Sequence, residues 1–347
     1  LLLVLAMAAP TAAGSGPPAD GREEADEGSG TDGANVIYRA VEKRLSDLDE
    51  NTRTVRVLVH YGRTEFFIEN GAPKGVEYEA LSLYEQYLNR SRGKHRPRIR
   101  LEFIPVCFDE LLPGLLEGKG DIAAGLITVT EDRRREVAFS EPYVKDVAEV
   151  VVAHAGAVQP RTWDDLSGRK VHVLRGSSFA DHLEDLNARL ARSGLRPVEV
   201  VEMPHSASTD DILEMVNAGI FELTVADHFV AGLWANVLPD IRVIDGMALN
   251  RGGEIAWAVR PDNPELLKSL NGFVDSGRRH LKLRAAQLMK RYFKDTKLIR
   301  NPLGQEHFGR VKKLGPYFRE AGDRHKIDWL MMVAQGYQES ELNQRAR

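Results

Sequence analysis

The run TVTEDRRREVAFSEPY, Thr128 to Tyr143, sets three successive arginines ahead of Phe139-Ser140-Glu141-Pro142-Tyr143. By composition alone it is a solvated basic stretch. Arginine is also the side chain best shaped to hold a carboxylate, because its planar guanidinium donates two parallel hydrogen bonds. Which reading applies depends on the elements around the run. Just upstream, a helical signal from Phe108 to Glu117 stops at Gly118-Lys119-Gly120, and Asp121 to Leu126 is a small apolar strand. Further back, Val55–Val59 has the composition of a buried strand, and Tyr78–Leu88 carries apolar residues near helical spacing. Ile99, Leu101 and Phe103 alternate with charged residues as a half-buried strand does. Downstream the alternation resumes. Strands are expected at Val171–Leu174, Val198–Val201, Leu223–Ala226, Ile241–Ile244 and Glu254–Val259, with helices from Phe179, from Asp210 to Ala218 and from His228. This order predicts mostly parallel sheets flanked by helices, arranged as two α/β lobes. Two crossings between lobes make a hinge, expected near Val144–Ala148 and Glu254–Trp257.

With this frame around it, the run resembles the family-3 solute-binding pattern T-x-x-R-x-x-x-x-x-F-S-x-P-Y. The resemblance implies a two-lobed, type II periplasmic-binding-protein fold in which a hydroxyl, here Thr128 or Thr130, and an arginine hold the ligand carboxylate. The spacing of six to the phenylalanine selects Arg133; Arg134 and Arg135 stay with the solvated reading. Gly75-Val76-Glu77-Tyr78-Glu79 is similar to the signature G-[FYIL]-[DE]-x-[DE], with Val76 smaller than usual, and Gly118-Lys119-Gly120-Asp121-Ile122 resembles its G-x-x-D-[IV] turn. Gly176-Ser177-Ser178 opens a second-lobe helix, where free N–H groups and the helix dipole offer an anion seat, unless Ser177 or Ser178 simply caps it. Asp227 ends a second-lobe strand where this family places the acid that grips a ligand ammonium; capping of the following helix is the competing role. Tyr61 is weighed between cleft lining and packing. The implied ligand is a small zwitterion, an amino acid or muropeptide, read with one charge per lobe.

Composition sets outer limits. The chain has 347 residues, 43% apolar and 28% charged, enough for two domains of ordinary size. A net charge of -4, from 47 basic and 51 acidic residues, gives no footprint for nucleic acid. The apolar run Leu1–Ala9 followed by small residues looks like part of a secretory signal, assigned to residues 1–13, so export to the periplasm is expected. Residues 14–50 read as a disordered tether with a lead-in helix at Val36–Leu48. The one cysteine, Cys107, excludes an internal disulfide and is expected to be a small buried hydrophobe. His60 and His228 lack partners at metal-ligand spacing, so neither a metal nor a cofactor is expected.

Beyond Asn271 the character changes. The solute-binding module is assigned to residues 51–275, with lobe 1 at 54–145 and 256–275 and lobe 2 at 146–255. A basic linker helix fills 276–304, and an all-α segment runs from 305 to 347. In the latter, Ile327, Leu330, Met331, Ala334 and Tyr337 fall on one helical face. The run Lys326–Ser340 resembles the helix of family-1 lytic transglycosylases that ends in a catalytic Glu-Ser pair, here Glu339 and Ser340; Gly315-Pro316-Tyr317-Phe318 and Ala321-Gly322-Asp323 are similar to that module's first helix. The resemblance implies a lysozyme-like domain whose single acid protonates the glycosidic oxygen and then acts as base while the muramic 6-hydroxyl closes a 1,6-anhydro ring. A carboxyl raised by an apolar cleft suits that work. Ser340 would orient it. The domain is expected to be incomplete by Arg347 and the 347-residue stretch inactive by itself.

The order of modules resembles the membrane-bound lytic transglycosylase F family, which implies peptidoglycan glycan strands as partner and leaves peripheral outer-membrane association open. Two alternatives remain: a periplasmic amino-acid receptor of an uptake transporter, and the ectodomain of a membrane sensor. The helices after Gln305 argue against the first, and the second needs a transmembrane helix after the module.

Overall fold

The computed structural model describes residues 53–69, 71–90, 98–275 and 304–325, with 332, 333, 335 and 336. The signal, the tether, most of the linker and the pair Glu339 and Ser340 lie outside the described residues. The chain divides into two compact units, one of Asp49–Lys312 and one that contains Lys313–Arg347.

In the larger unit the first sheet is built on β1 (Arg53–His60), which pairs in parallel with β4 (Ile99–Val106) on one side and β5 (Ile122–Ala124) on the other. Val57, Leu58 and Val59 are all fully buried. A strand covered on both faces must be apolar at successive positions, which is why this run is continuous rather than alternating. One face takes α1 (Val76–Arg90), whose Leu81 and Tyr84 pack with Trp257, Leu270 and Phe273; the other takes α2 (Leu111–Leu116), whose Leu111 and Leu115 meet Leu58 and Ala123. Beyond β5 the sheet ends in β12 (Ala258–Val259) and β6 (Ala138–Phe139), both antiparallel to their neighbours. A small hairpin, β2 (Phe67–Glu69) with β3 (Ala72–Lys74), follows β1.

The second sheet has the order β11 (Ile241–Ile255), β7 (Val144–His154), β10 (Leu223–Asp227), β8 (Lys170–Val173), β9 (Glu199–Glu202). It is packed by α4 (Ser178–Arg192), α5 (Thr209–Asn217) and α6 (His228–Ala235). Phe179, Leu183 and Leu186 of α4 close over Val173, Leu223 and Val225. The short α3 (Glu131–Glu136) and α7 (264–275) belong to the first-sheet side, with Val137 and Phe273 in its core clusters.

Several expectations change. The crossing at Val144–Ala148 is the start of β7, where Val144 pairs with Ile255 and Val147 with Gly253, so the two chain passages between lobes are hydrogen-bonded to each other. Glu254–Val259 is two strands in different sheets, broken at Ala256 and Trp257. The helix expected at Phe108–Glu117 begins as a 3-10 turn, Phe108–Glu110, before α2; Pro113 sits in the first turn of α2, where its missing N–H costs nothing. Cys107 is half-buried rather than buried, because it heads that turn and donates its backbone N–H to Glu110 Oε2 at 3.2 Å.

From Gly304 to His325 the chain is one helix, α8, with Pro316 inside it. Val333 is buried. Among the described residues no helix is long and apolar enough to cross a membrane.

Candidate ligand cleft

Arg133 lies in α3, directly after the loop that leaves β5. Thr130 heads the helix, its hydroxyl accepting the backbone N–H of Arg133 at 3.3 Å, so this threonine positions the arginine's turn. The guanidinium donates from Nη1 to the Thr128 carbonyl at 2.7 Å and from Nη2 to the Gly176 carbonyl of the other lobe at 2.9 Å. Thr128 is itself buried and bridges to Ile255. Burial lowers the Arg133 pKa, opposed by the fields of Asp181 and Glu149. With two of five donors on carbonyls, each terminal nitrogen keeps a second hydrogen for an anion. Gly176 has φ +70°, and a Cβ there would lie 2.8 Å from Asp109 Cβ, so only glycine lets the lobes approach at this point.

The serines beside Gly176 do not cap α4. Ser177 Oγ donates to the Leu174 carbonyl at 2.6 Å, and Ser178 Oγ donates to Glu149 Oε1 at 2.7 Å. Glu149 Oε2 lies 2.5 Å from His182 Nδ1, and that hydrogen bond raises the His182 pKa. Glu149 also stands opposite Asp227 in the β7–β10 ladder. Asp227 occupies the N-cap position of α6, yet its side chain makes no capping bond; it is 5% exposed and Oδ1 has no partner among the described residues. Burial, then the charge on Glu149, pushes its pKa well above the usual carboxylate range. Arg133 and Asp227 are thus both within electrostatic reach of Glu149. Tyr61 is half-buried and packs against the first-lobe core.

Two carboxylates to which the sequence assigned no role in the cleft organise this region. Glu77, the acid of the Gly75 signature, is 1% exposed and accepts from Leu126 N at 2.8 Å, Tyr143 Oη at 2.5 Å and Trp257 Nε1 at 2.8 Å. It ties α1 to both inter-lobe passages. Burial raises its pKa against these donors. Glu77→Gln turns one acceptor into a donor facing other donors and should lower unfolding free energy by about 2 kcal/mol in a chemical denaturation curve.

Asp210 of α5 reaches across the gap. Its carboxylate accepts from Thr64 N at 3.2 Å and Thr64 Oγ1 at 3.1 Å, both from the first lobe, and from Trp234 Nε1 at 2.7 Å. Arg63 adds a 2.6 Å ion pair to Glu214 of the same helix and lies 6.0 Å over the Trp234 ring. His205 meets Asp109 at 2.7 Å. The lobes are therefore closed on each other through polar contacts. Burial raises Asp210 from 3.8 to about 6 and Glu214 from 4.5 to about 7, Arg63 opposing both. A closed form with raised carboxyl pKa values binds more protons than an open one. Closure is thus favoured most below the ordinary values and weakens as pH rises through about 6 and 7. The radius of gyration of the ligand-free chain in small-angle scattering should be smaller at pH 5 than at pH 8.

Among the described residues no group of three or more His, Cys, Asp or Glu is arranged to hold a metal ion. The first lobe contributes the Arg133 guanidinium, and the second a buried acid, Asp227, whose Oδ1 is unpartnered among the described residues.

Comparison with known proteins bears on the fold and the family. A membrane-bound lytic murein transglycosylase F of Desulfosudis oleivorans is 27% identical over 310 residues, 88% of this chain and 64% of the relative; this chain spans less than two thirds of that relative's length. An ancestral arginine-binding protein bound to arginine superposes with TM-score 0.57 at 24% identity, covering 69% of this chain and 98% of its own. A putative L-cystine ABC transporter protein from Listeria monocytogenes gives TM-score 0.59 at 18% identity, covering 70% and 96%. At such identities these structures establish the two-lobed fold alone. Residues 54–295 match the family model of bacterial extracellular solute-binding proteins, family 3. That match covers more than half of the sequence, and the chain belongs to this family.

Proposed function

We propose that this chain carries the ligand-sensing module of an exported lytic transglycosylase of the F type, acting in the periplasm on peptidoglycan glycan strands. The module takes a small zwitterion, an amino acid or a muropeptide. Arg133, with the hydroxyls of Thr128 and Thr130 and the uncapped start of α4 at Ser177 and Ser178, receives the carboxylate. Asp227 receives the ammonium, and Tyr61 borders the hollow. The observation that carries the reading is Asp227: a buried carboxylate with an unpartnered oxygen, at the end of a strand in a closed cleft, is costly unless a cation completes it. A ligand bridging both lobes favours closure by its differential affinity.

Glu339 is the proposed acid and base of glycan cleavage, with Ser340 beside it, and the helical stretch from Gly304 fits the start of a lysozyme-like domain. The resemblance to transglycosylases over most of the chain favours this over a transport receptor, although the superposing structures include transporter components. Peripheral attachment to the outer membrane accompanies the proposal.

Titration calorimetry of the 347-residue chain against L-amino acids and muropeptides tests the module. Saturable binding with a rise in melting temperature is expected; a panel in which none binds would remove the zwitterion reading.

A further inference from the structure

A second buried carboxylate has one oxygen without a partner among the described residues. Glu65, between β1 and β2, is 6% exposed, and its Oε2 has no hydrogen-bond partner among the described residues. The chain makes room for it. A Cβ on Gly62 would lie 2.2 Å from Glu65 Oε2, and a Cβ on Gly75, at φ +119°, would lie 2.1 Å from the Glu65 carbonyl oxygen. Gly62 thus leaves the space that the Glu65 carboxylate occupies, and Gly75 permits the close approach of the Glu65 backbone carbonyl.

Its surroundings are acidic. Burial raises the Glu65 pKa first, and Asp210, Glu77 and Asp227 raise it further. Tyr143 lies within the fields of both Glu65 and Asp227. The nearby cations are committed: Arg63 to Glu214, and Arg133 to two carbonyls with its spare donors turned to an anion. A neutral zwitterion satisfies Arg133 and Asp227 and leaves Glu65 bare. A ligand with one further positive group completes all three.

Resting on the zwitterion reading above, we infer that Glu65 is the side-chain subsite of the cleft, and that the ligand is a cationic amino acid whose guanidinium or ammonium donates to Glu65 Oε2 while its α-ammonium meets Asp227. Specificity then comes from a buried acid that a neutral side chain would leave unpaired.

Calorimetry of the 347-residue chain with matched pairs tests this: L-arginine against L-citrulline, its neutral ureido counterpart, and L-lysine against L-norleucine. The charged member of each pair should bind at least about 30-fold tighter, the expected cost of leaving a buried charge without its partner. Glu65→Gln should bring both ratios close to one. Equal affinities within the wild-type pairs, or ratios unchanged in Glu65→Gln, overturn the assignment; the wild-type comparison decides it even where the variant fails to fold. Tight binding of neutral amino acids without charge preference sinks this inference alone. Binding of no α-amino acid at all sinks it together with the reading on which it rests.

Discussion

Arg133→Ala should weaken amino-acid binding to the 347-residue chain by about 1000-fold, the scale expected when a bidentate, partly desolvated charge contact is deleted. The guanidinium is held on two sides, by the Thr128 carbonyl of its own lobe and the Gly176 carbonyl of the other, so its remaining hydrogens are fixed in direction before ligand arrives. Pre-fixed donors lose little entropy on binding. Arg133→Lys should recover little of the loss, because one ammonium cannot reach both carbonyls and still present a fork. Calorimetry checks both variants, with a melting curve to show that each is folded. Undiminished affinity in Arg133→Ala would take the arginine out of the site.

Glu339→Gln, in the full-length gene product, should reduce release of 1,6-anhydro-muropeptides from purified murein by about 1000-fold or more. The proposed chemistry uses one carboxyl twice, first as acid toward the glycosidic oxygen and then as base toward the muramic 6-hydroxyl. The amide has nearly the same shape and can do neither. Chromatography with mass detection of the released muropeptides provides the readout, and retained activity would assign the acid elsewhere. Ligand affinity in the sensing module should be unaltered by this substitution.

The fold was legible wherever burial leaves a local trace. Val57–Val59 is apolar at every position because both faces are covered, and the interruption at Gly118-Lys119-Gly120 marks a true end of helix before β5. β7 was not, since Val144–His154 mixes lysine, aspartate and glutamate with valines: its Glu149 is buried by partners, Ser178 and His182, that lie far along the chain. The cleft divides the same way. Arg133 and Asp227 stand in runs with fixed spacing, and each now has geometry beside it that a sequence pattern lacks. Asp210 and Thr64 are 146 positions apart, and neither sits in a motif. Their meeting depends on lobe closure, which no local window encodes. Glu77 was in view as part of a signature, but its task as the acceptor joining Tyr143 and Trp257 required both inter-lobe passages to be placed. Glu65 carries no pattern at all; only its burial, with Oε2 unpartnered among the described residues, marks it.

In the proposed mode of binding, the cleft reads both charges of an α-amino acid, one from each lobe. The most direct measurement compares, by calorimetry on the wild-type chain, the amino acid that binds tightest with its des-amino acid and with its decarboxylated amine. Each analogue should lose at least about 100-fold in affinity, since each leaves one buried charged partner, Asp227 or Arg133, without its ligand group. An analogue that binds as tightly as the parent amino acid would contradict the account.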